Sequence, residues 1–189
     1  PPQTVDAALI YEGWGNAHNI VINESTGRAY GVGTNTFSGG LHIVDISTPT
    51  NPVLIGDFAG DGYTHDAQVV SYIGPDEGYQ GKEIAFCCNE NTVTIVDVTD
   101  PTEIQRIATV KVDARTVNDV KVSEDGRLCV ISREGASNRK NGMVLYDVTD
   151  PSNPVALGAA TDDANGFTVL DGAGLPLTLG LVTVVAAPA

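Results

Sequence analysis

Apolar and polar residues alternate over short runs along this chain, and the runs recur in a fixed order. "GLHIVDISTP" ends at Pro49, "NTVTIVDVTDP" at Pro101 and "GMVLYDVTDP" at Pro151. Alternation rich in β-branched residues predicts a strand, and "VTIVDV" suits a central strand covered on both faces. The side chains of Asp45, Asp97 and Asp147, with the hydroxyl residues after them, are suited to hydrogen-bond the backbone just beyond and so start a turn. Pro49, Pro101 and Pro151 then end the ladder, because proline has no N–H to donate.

Three other strand-like runs accompany each phrase. Upstream stand "HNIVIN" from His18, "HDAQVV" from His65 and "NDVKVS" from Asn118. Between these and the phrases lie "GRAYGVG", "KEIAFCC" and "GRLCVIS"; after the phrases come "NPVLIGDF", "TEIQRIATV" and "NPVALGAA". Each unit thus reads as four short strands in about fifty residues, the period and strand count of a propeller blade. The expected fold is all-β and β-propeller-like, a single domain over 1–189. Its three recognisable four-stranded blades fall at approximately 16–60, 63–112 and 116–160.

Rings have about four to eight blades, so the chain ends, 3–12 and 166–187, are candidates to form or complete another. Leu175, Leu177, Leu179 and Leu181 alternate as a strand would. A truncated anchor is the competing reading, since Gly172 to Ala189 carries no charge. Pro176 and Pro188 interrupt that stretch, which falls short of a spanning helix. Either a small ring closes within the chain, or an open set of blades is completed by another chain pairing with its edges.

The same residues carry a family likeness. The phrases resemble LVIVD repeats. Residues 10 to about 100 resemble the middle of the choice-of-anchor B family of surface-anchored proteins. That likeness lies in "AHNIVINESTGRAYGVG", "SGGLHIVDISTPTNP", "DGYTHDAQVVSYIGPDEGYQGKEI" and "NENTVTIVDVTDP". The unit from Asn118 to Ala160 is similar to a generic LVIVD blade. The resemblance implies a secreted propeller tethered at the cell surface, often without assigned activity. A membrane would be met only through an anchor outside the folded core.

Composition narrows the partners. With 24 acidic and 10 basic residues the net charge is −14, which repels phosphate backbones and argues against nucleic acid. Aromatic residues make up 6%, too few for a base-stacking platform. The acid is scattered and lysine is scarce, which fits either a protein kept soluble in high salt, as in a halophile, or an ordinary acidic secreted domain. Cys87, Cys88 and Cys129 sit in strand-like runs without zinc spacing, so they read as buried thiols, the vicinal pair pointing to opposite faces. The start at Pro1, without Met or a signal peptide, reads as a processed or trimmed product. Asn23-Glu24-Ser25 is a glycosylation sequon.

Two places offer chemistry. His18, His65 and Asn118 begin the innermost strand of successive blades, where equivalent residues converge on the central channel, and Asn19, Asp66 and Asp119 follow them. His18, His65, Asp66 and Asp119 are therefore candidate ligands for a divalent metal ion in that channel. The competing reading has these side chains pinning backbone at the channel mouth. The loop "GPDEGYQGKE" is the second place: Asp76, Glu77, Tyr79 and Gln80 could meet a partner or calcium, although EF-hand spacing is absent. "GVGTNT" reads as a turn, and no nucleophile elbow, P-loop or dinucleotide fingerprint appears.

The favoured function is therefore an extracellular or cell-surface binding or structural module whose partner is a protein, a cell-surface component or a second copy. One alternative is a metal-dependent enzyme, an oxidoreductase or hydrolase, using the channel histidines. The other is a self-assembling surface subunit pairing through open blade edges.

Overall fold

The computed structural model describes residues 9–135 and 142–161, and its architecture is all-β. The first four strands are β1 (Asn19–Asn23), β2 (Arg28–Val32), β3 (Leu41–Asp45) and β4 (Val53–Phe58). The next four are β5 (Asp66–Ser71), β6 (Glu83–Cys88), β7 (Thr92–Asp97) and β8 (Gln105–Lys111). The last four are β9 (Thr116–Val122), β10 (Leu128–Glu134), β11 (Gly142–Asp147) and β12 (Val155–Thr161). Each consecutive set of four is one antiparallel sheet in chain order, so each repeat is one propeller-like blade. The first strands of the blades, β1, β5 and β9, pack beside one another and define the inner side.

The phrase that marks each repeat builds β3, β7 and β11. Asp45, Asp97 and Asp147 each accept a hydrogen bond from the N–H two residues on, from Ser47, Thr99 and Thr149 at 2.8, 3.0 and 2.8 Å. These are the turns expected of Asp before a hydroxyl residue. Strand register aligns the repeats residue by residue. Asp45 lies opposite Arg28, Asp97 opposite Ile84 and Asp147 opposite Leu128. Gly27, Glu83 and Arg127 therefore share a place in the repeat, and Arg28, Ile84 and Leu128 the next.

Blades meet face to face, and alternation assigns each side chain to a seam. Tyr30, Val32, Leu41 and Ile43 of the first blade pack on Ala67, Ala85, Cys87, Val96 and Val98 of the second. Ile84, Phe86, Cys88, Val93 and Ile95 face the third blade through Val117, Val120, Cys129, Ile131 and Tyr146. Cys87 and Cys88 thus enter different seams. All three thiols are free and buried, and burial pushes them up, Cys129 to about 12.

A polar clasp closes the first seam. Glu83, only 3% exposed, accepts hydrogen bonds from Asn23 Nδ2 at 2.7 Å, Thr26 Oγ1 at 2.7 Å and Arg28 at 2.6 Å. Arg28 also donates to the carbonyls of Val98 and Thr99. Asn23 is itself buried, so the sequon amide is spent inside the fold rather than presented for a glycan.

The face of the first blade turned away from the second is capped by the segment before β1. His42, 1% exposed, hydrogen-bonds the Tyr11 hydroxyl through Nε2 and the Thr36 hydroxyl through Nδ1, each at 2.8 Å. Trp14 and Phe37 pack on its ring. Residues 9–12 carry no strand; the other stretches expected to supply a further blade, 3–8 and 166–187, lie outside the described residues. Among the described residues no helix is long and apolar enough to cross a membrane.

Candidate binding site at the channel mouth

The ends of β2, β4, β6, β8 and β10 lie at one end of the blades, together with the starts of β1, β5 and β9. The two histidines meet there. His18 N donates to Val32 O at 2.9 Å and His65 N to Cys88 O at 2.6 Å, so both backbones are fixed at the same place in adjacent blades. Their rings lie 4.0 Å apart between centroids, tilted by 42°. The Asn118 carbonyl, from the third blade, can only accept, and it lies 3.3 Å from His65 Nδ1. Nδ1 therefore carries the proton, and a neutral His65 presents its Nε2 lone pair.

The remaining members of the expected metal set go elsewhere. Successive residues of a strand point to opposite sides. Asp66 accepts from Asn19 Nδ2 and the Ala67 N–H, each at 2.7 Å. Asp119 accepts from the Val120 N–H at 2.8 Å and Lys121 Nζ at 2.9 Å. The structure thus brings His18 and His65 together and gives Asp66 and Asp119 other partners. Among the described residues no group of three His, Cys, Asp or Glu side chains is arranged to hold a metal ion.

His65 borders a cleft of about 290 Å3, lined also by Tyr63, Glu90, Arg115 and Thr116. Tyr63 is 41% exposed; its ring centroid is 6.3 Å from that of His18 and 6.5 Å from that of His65. The glycine-rich run after β2 makes room for it. Gly33 has φ +59°, and a Cβ there would lie 2.5 Å from His18 Cβ and 3.0 Å from the Tyr63 oxygen, so only glycine permits this approach. "GVGTNT" is a turn, as its sequence predicts, and the turn seats Tyr63.

On the far wall, Arg115 is anchored by its N–H donating to Glu134 O at 2.8 Å. Gly135, at φ +64°, lets its stem pass, since a Cβ there would sit 2.8 Å from Arg115 Cβ. Sequence reasoning found the histidines through their repeat position but missed Tyr63, Glu90, Arg115 and Thr116. Tyr63, Glu90 and Arg115 stand in the connections between strands, and Thr116 only opens β9, so no repeat pattern singles them out.

The loop from Gly74 to Glu83 lies at the opposite end of the blades and is largely spent on itself. Asp76 accepts from the Gly78 N–H at 2.9 Å, Gln80 Nε2 donates to Gly74 O at 3.2 Å, and Tyr79 packs edge-on against Tyr72. Glu77 is exposed.

Blade count, sheet order and the convergence of inner strands define a propeller-like module. Residues 36–59 and 137–162 match the LVIVD repeat. The first span contains β3 and β4 and the second β11 and β12, the same two strands of the first and third blades, so the chain carries LVIVD repeats within that module. Comparison with curated proteins gives no match.

Proposed function

We propose that the chain is a recognition module of an extracellular or cell-surface propeller and that its ligand contacts the channel mouth. The observation that carries this reading is the cleft, where exposed polar and aromatic side chains from different blades converge on one concavity. A few polar groups at the rim of a concave surface are the usual form of a ligand site. Thiols buried and pushed up are poorly reactive, which suits an oxidising exterior. The resemblance to surface-anchored proteins supports the location.

A panel of neutral, anionic and cationic fragments, followed by NMR on the intact chain, tests the reading. Binding that clusters on Tyr63 and His65 and is lost on Tyr63→Ala supports it. Binding nowhere, or scattered over the surface, overturns it. Protease treatment of intact cells tests the location, since a surface chain is cut while the cells remain whole.

A divalent cation on His18 and His65 is the second reading, favoured by the lone pair that Asn118 leaves on His65 Nε2. Zinc binding should then weaken in acid, because protons compete with the metal for the imidazole nitrogens. It should disappear when both histidines become Gln. Zinc affinity unchanged by that double substitution removes this reading.

A further inference from the structure

Charge pairing sets one residue of the cleft apart. Among the described cations, Arg28, Lys82, Arg106, Lys121, Arg127 and Arg133 each have a carboxylate within ion-pair distance, at 2.6, 2.9, 2.7, 2.9, 3.8 and 3.9 Å. A chain of net charge −14 has carboxylates to spare for every one of them. Arg115 has none among the described residues. Glu90 lines the same cleft, yet the two are not paired, and the Arg115 guanidinium has no hydrogen-bond partner among the described residues. Its position is not accidental to the backbone, because Gly135 clears the way for its stem and Glu134 O holds its N–H.

The geometry points to a carboxylate-recognition site in this cleft, with Arg115 as the group that takes the carboxylate and Tyr63 and His65, the latter backed by the His18 ring, as the shelf for the body of the ligand. The inference rests on the channel mouth being the binding surface and adds the chemical class that it reads. A guanidinium offers a planar fork of donors matched to the two oxygens of a carboxylate. The rings of Tyr63 and His65 suit a flat or apolar portion beside it. A space of about 290 Å3 lies at the small end of ligand clefts, roughly 300–1,000 Å3, so the ligand is a small organic acid or the acidic end of a larger molecule. Glu90 excludes dianions by repulsion and favours a ligand that also carries a donor.

Benzoate, benzamide and benzylamine share one ring and differ in head group, so together they test the class. Each is titrated into the intact isotopically labelled chain while the signals of Arg115, His65 and Tyr63 are followed. Benzoate should bind with about millimolar affinity, as suits so few atoms, and the other two should bind much more weakly. Arg115→Ala should weaken benzoate at least about tenfold, the loss of one charge-assisted fork, while Arg115→Lys keeps part of the affinity. Lys111→Ala removes a cation that has no carboxylate partner among the described residues and lines a different part of the surface; it should change nothing. Arg115 is exposed, so its removal leaves the blades folded, which an unchanged thermal midpoint verifies. If benzamide or benzylamine moves the cleft signals as strongly as benzoate does, the site exists but does not select carboxylates. If benzoate binds Arg115→Ala as tightly as the parent, Arg115 is not its receptor. If no probe moves these signals, the carboxylate assignment and the recognition reading of this end fail together.

Discussion

Between the first and second blades Arg28 meets Glu83, whereas the equivalent positions of the second and third blades are Ile84 and Arg127, which cannot form an ion pair. The two seams use the same repeat positions, and a single difference in partner decides their chemistry. Glu83 and Arg127 share one place in the repeat. Glu83 finds a guanidinium across the seam and stays buried; Arg127 has an isoleucine at the matching position of the preceding blade and lies instead 3.8 Å from Asp125, with both side chains exposed. The second seam is closed instead by apolar bulk, with Phe86 at its centre, and by Tyr72, whose hydroxyl donates to Thr149 O at 2.9 Å. Apolar packing gains from area alone, whereas a buried ion pair must first recover its desolvation cost and mainly selects one register. The first seam is therefore the one that specifies how blades align, and the second the one that holds by volume.

Breaking each seam should show that division. Phe86→Ala, in the apolar seam, has the largest expected effect, about 3–5 kcal/mol of lost stability, read from urea unfolding and insensitive to salt. A loss below about 1 kcal/mol would mean that the second seam does not depend on its volume.

Arg28→Ala comes next. It leaves the Glu83 carboxylate buried without its cation, with Asn23 and Thr26 as remaining donors, and should cost about 2–3 kcal/mol. Replacing both partners, Arg28→Met with Glu83→Leu, should recover most of that stability, because no charge is then left buried. A double variant as unstable as Arg28→Ala would show that the clasp contributes net stability and not register alone.

The contrast between seams also explains what the sequence made legible. Twelve strands, their grouping in fours and the turns after Asp45, Asp97 and Asp147 follow from alternation, proline and a period that repeats, all of which are local signals. The meeting of His18 and His65 follows from their common place in the repeat. The Glu83 clasp does not, because it depends on which residue of one blade faces which of the next. The cleft was hidden for the same reason: Tyr63, Glu90 and Arg115 are brought together by the packing of blades, and nothing in their local sequence announces it. Asp66 and Asp119 were grouped with the histidines by adjacency in sequence, yet adjacency in a strand points side chains apart.

Asp97→Ala should have a smaller effect, about 1 kcal/mol, the loss of a local turn hydrogen bond. Asp97 also holds Lys82 at 2.9 Å. Burial pulls its carboxyl up, but the bonds from Thr99 and Lys82 outweigh burial and hold it below the usual range. A carboxylate held low stabilises the fold above its unfolded value, about 3.9, and that contribution is lost as pH falls through the folded value. The parent should therefore lose part of its stability in acid that Asp97→Ala has already lost. An Asp97→Ala variant with an unchanged midpoint at neutral pH and an altered benzoate affinity would place this residue in recognition rather than in the turn.

The smallest effect is expected at the capped face of the first blade, which lies in neither seam and so serves as their reference. Burial holds His42 below the ordinary imidazole value, with Asp57 pulling weakly the other way. The folded state therefore takes up this proton later than the unfolded state does. Linkage then lowers stability as pH falls from about 6.5 towards the folded value, and restores nothing on further acidification. The chain has a single tryptophan, Trp14, and its ring lies 4.7 Å from that of His42 between centroids, so its fluorescence reports this cap directly. Acidification from pH 7 to 5 should lower the thermal midpoint modestly and change the Trp14 emission before either seam yields. His42→Gln keeps a polar group between Tyr11 and Thr36 without a titrating proton, and it should flatten that dependence. His18 and His65 are the only other imidazoles in the chain, which makes the variant the deciding control: an unchanged slope in His42→Gln would assign the acid sensitivity away from the cap.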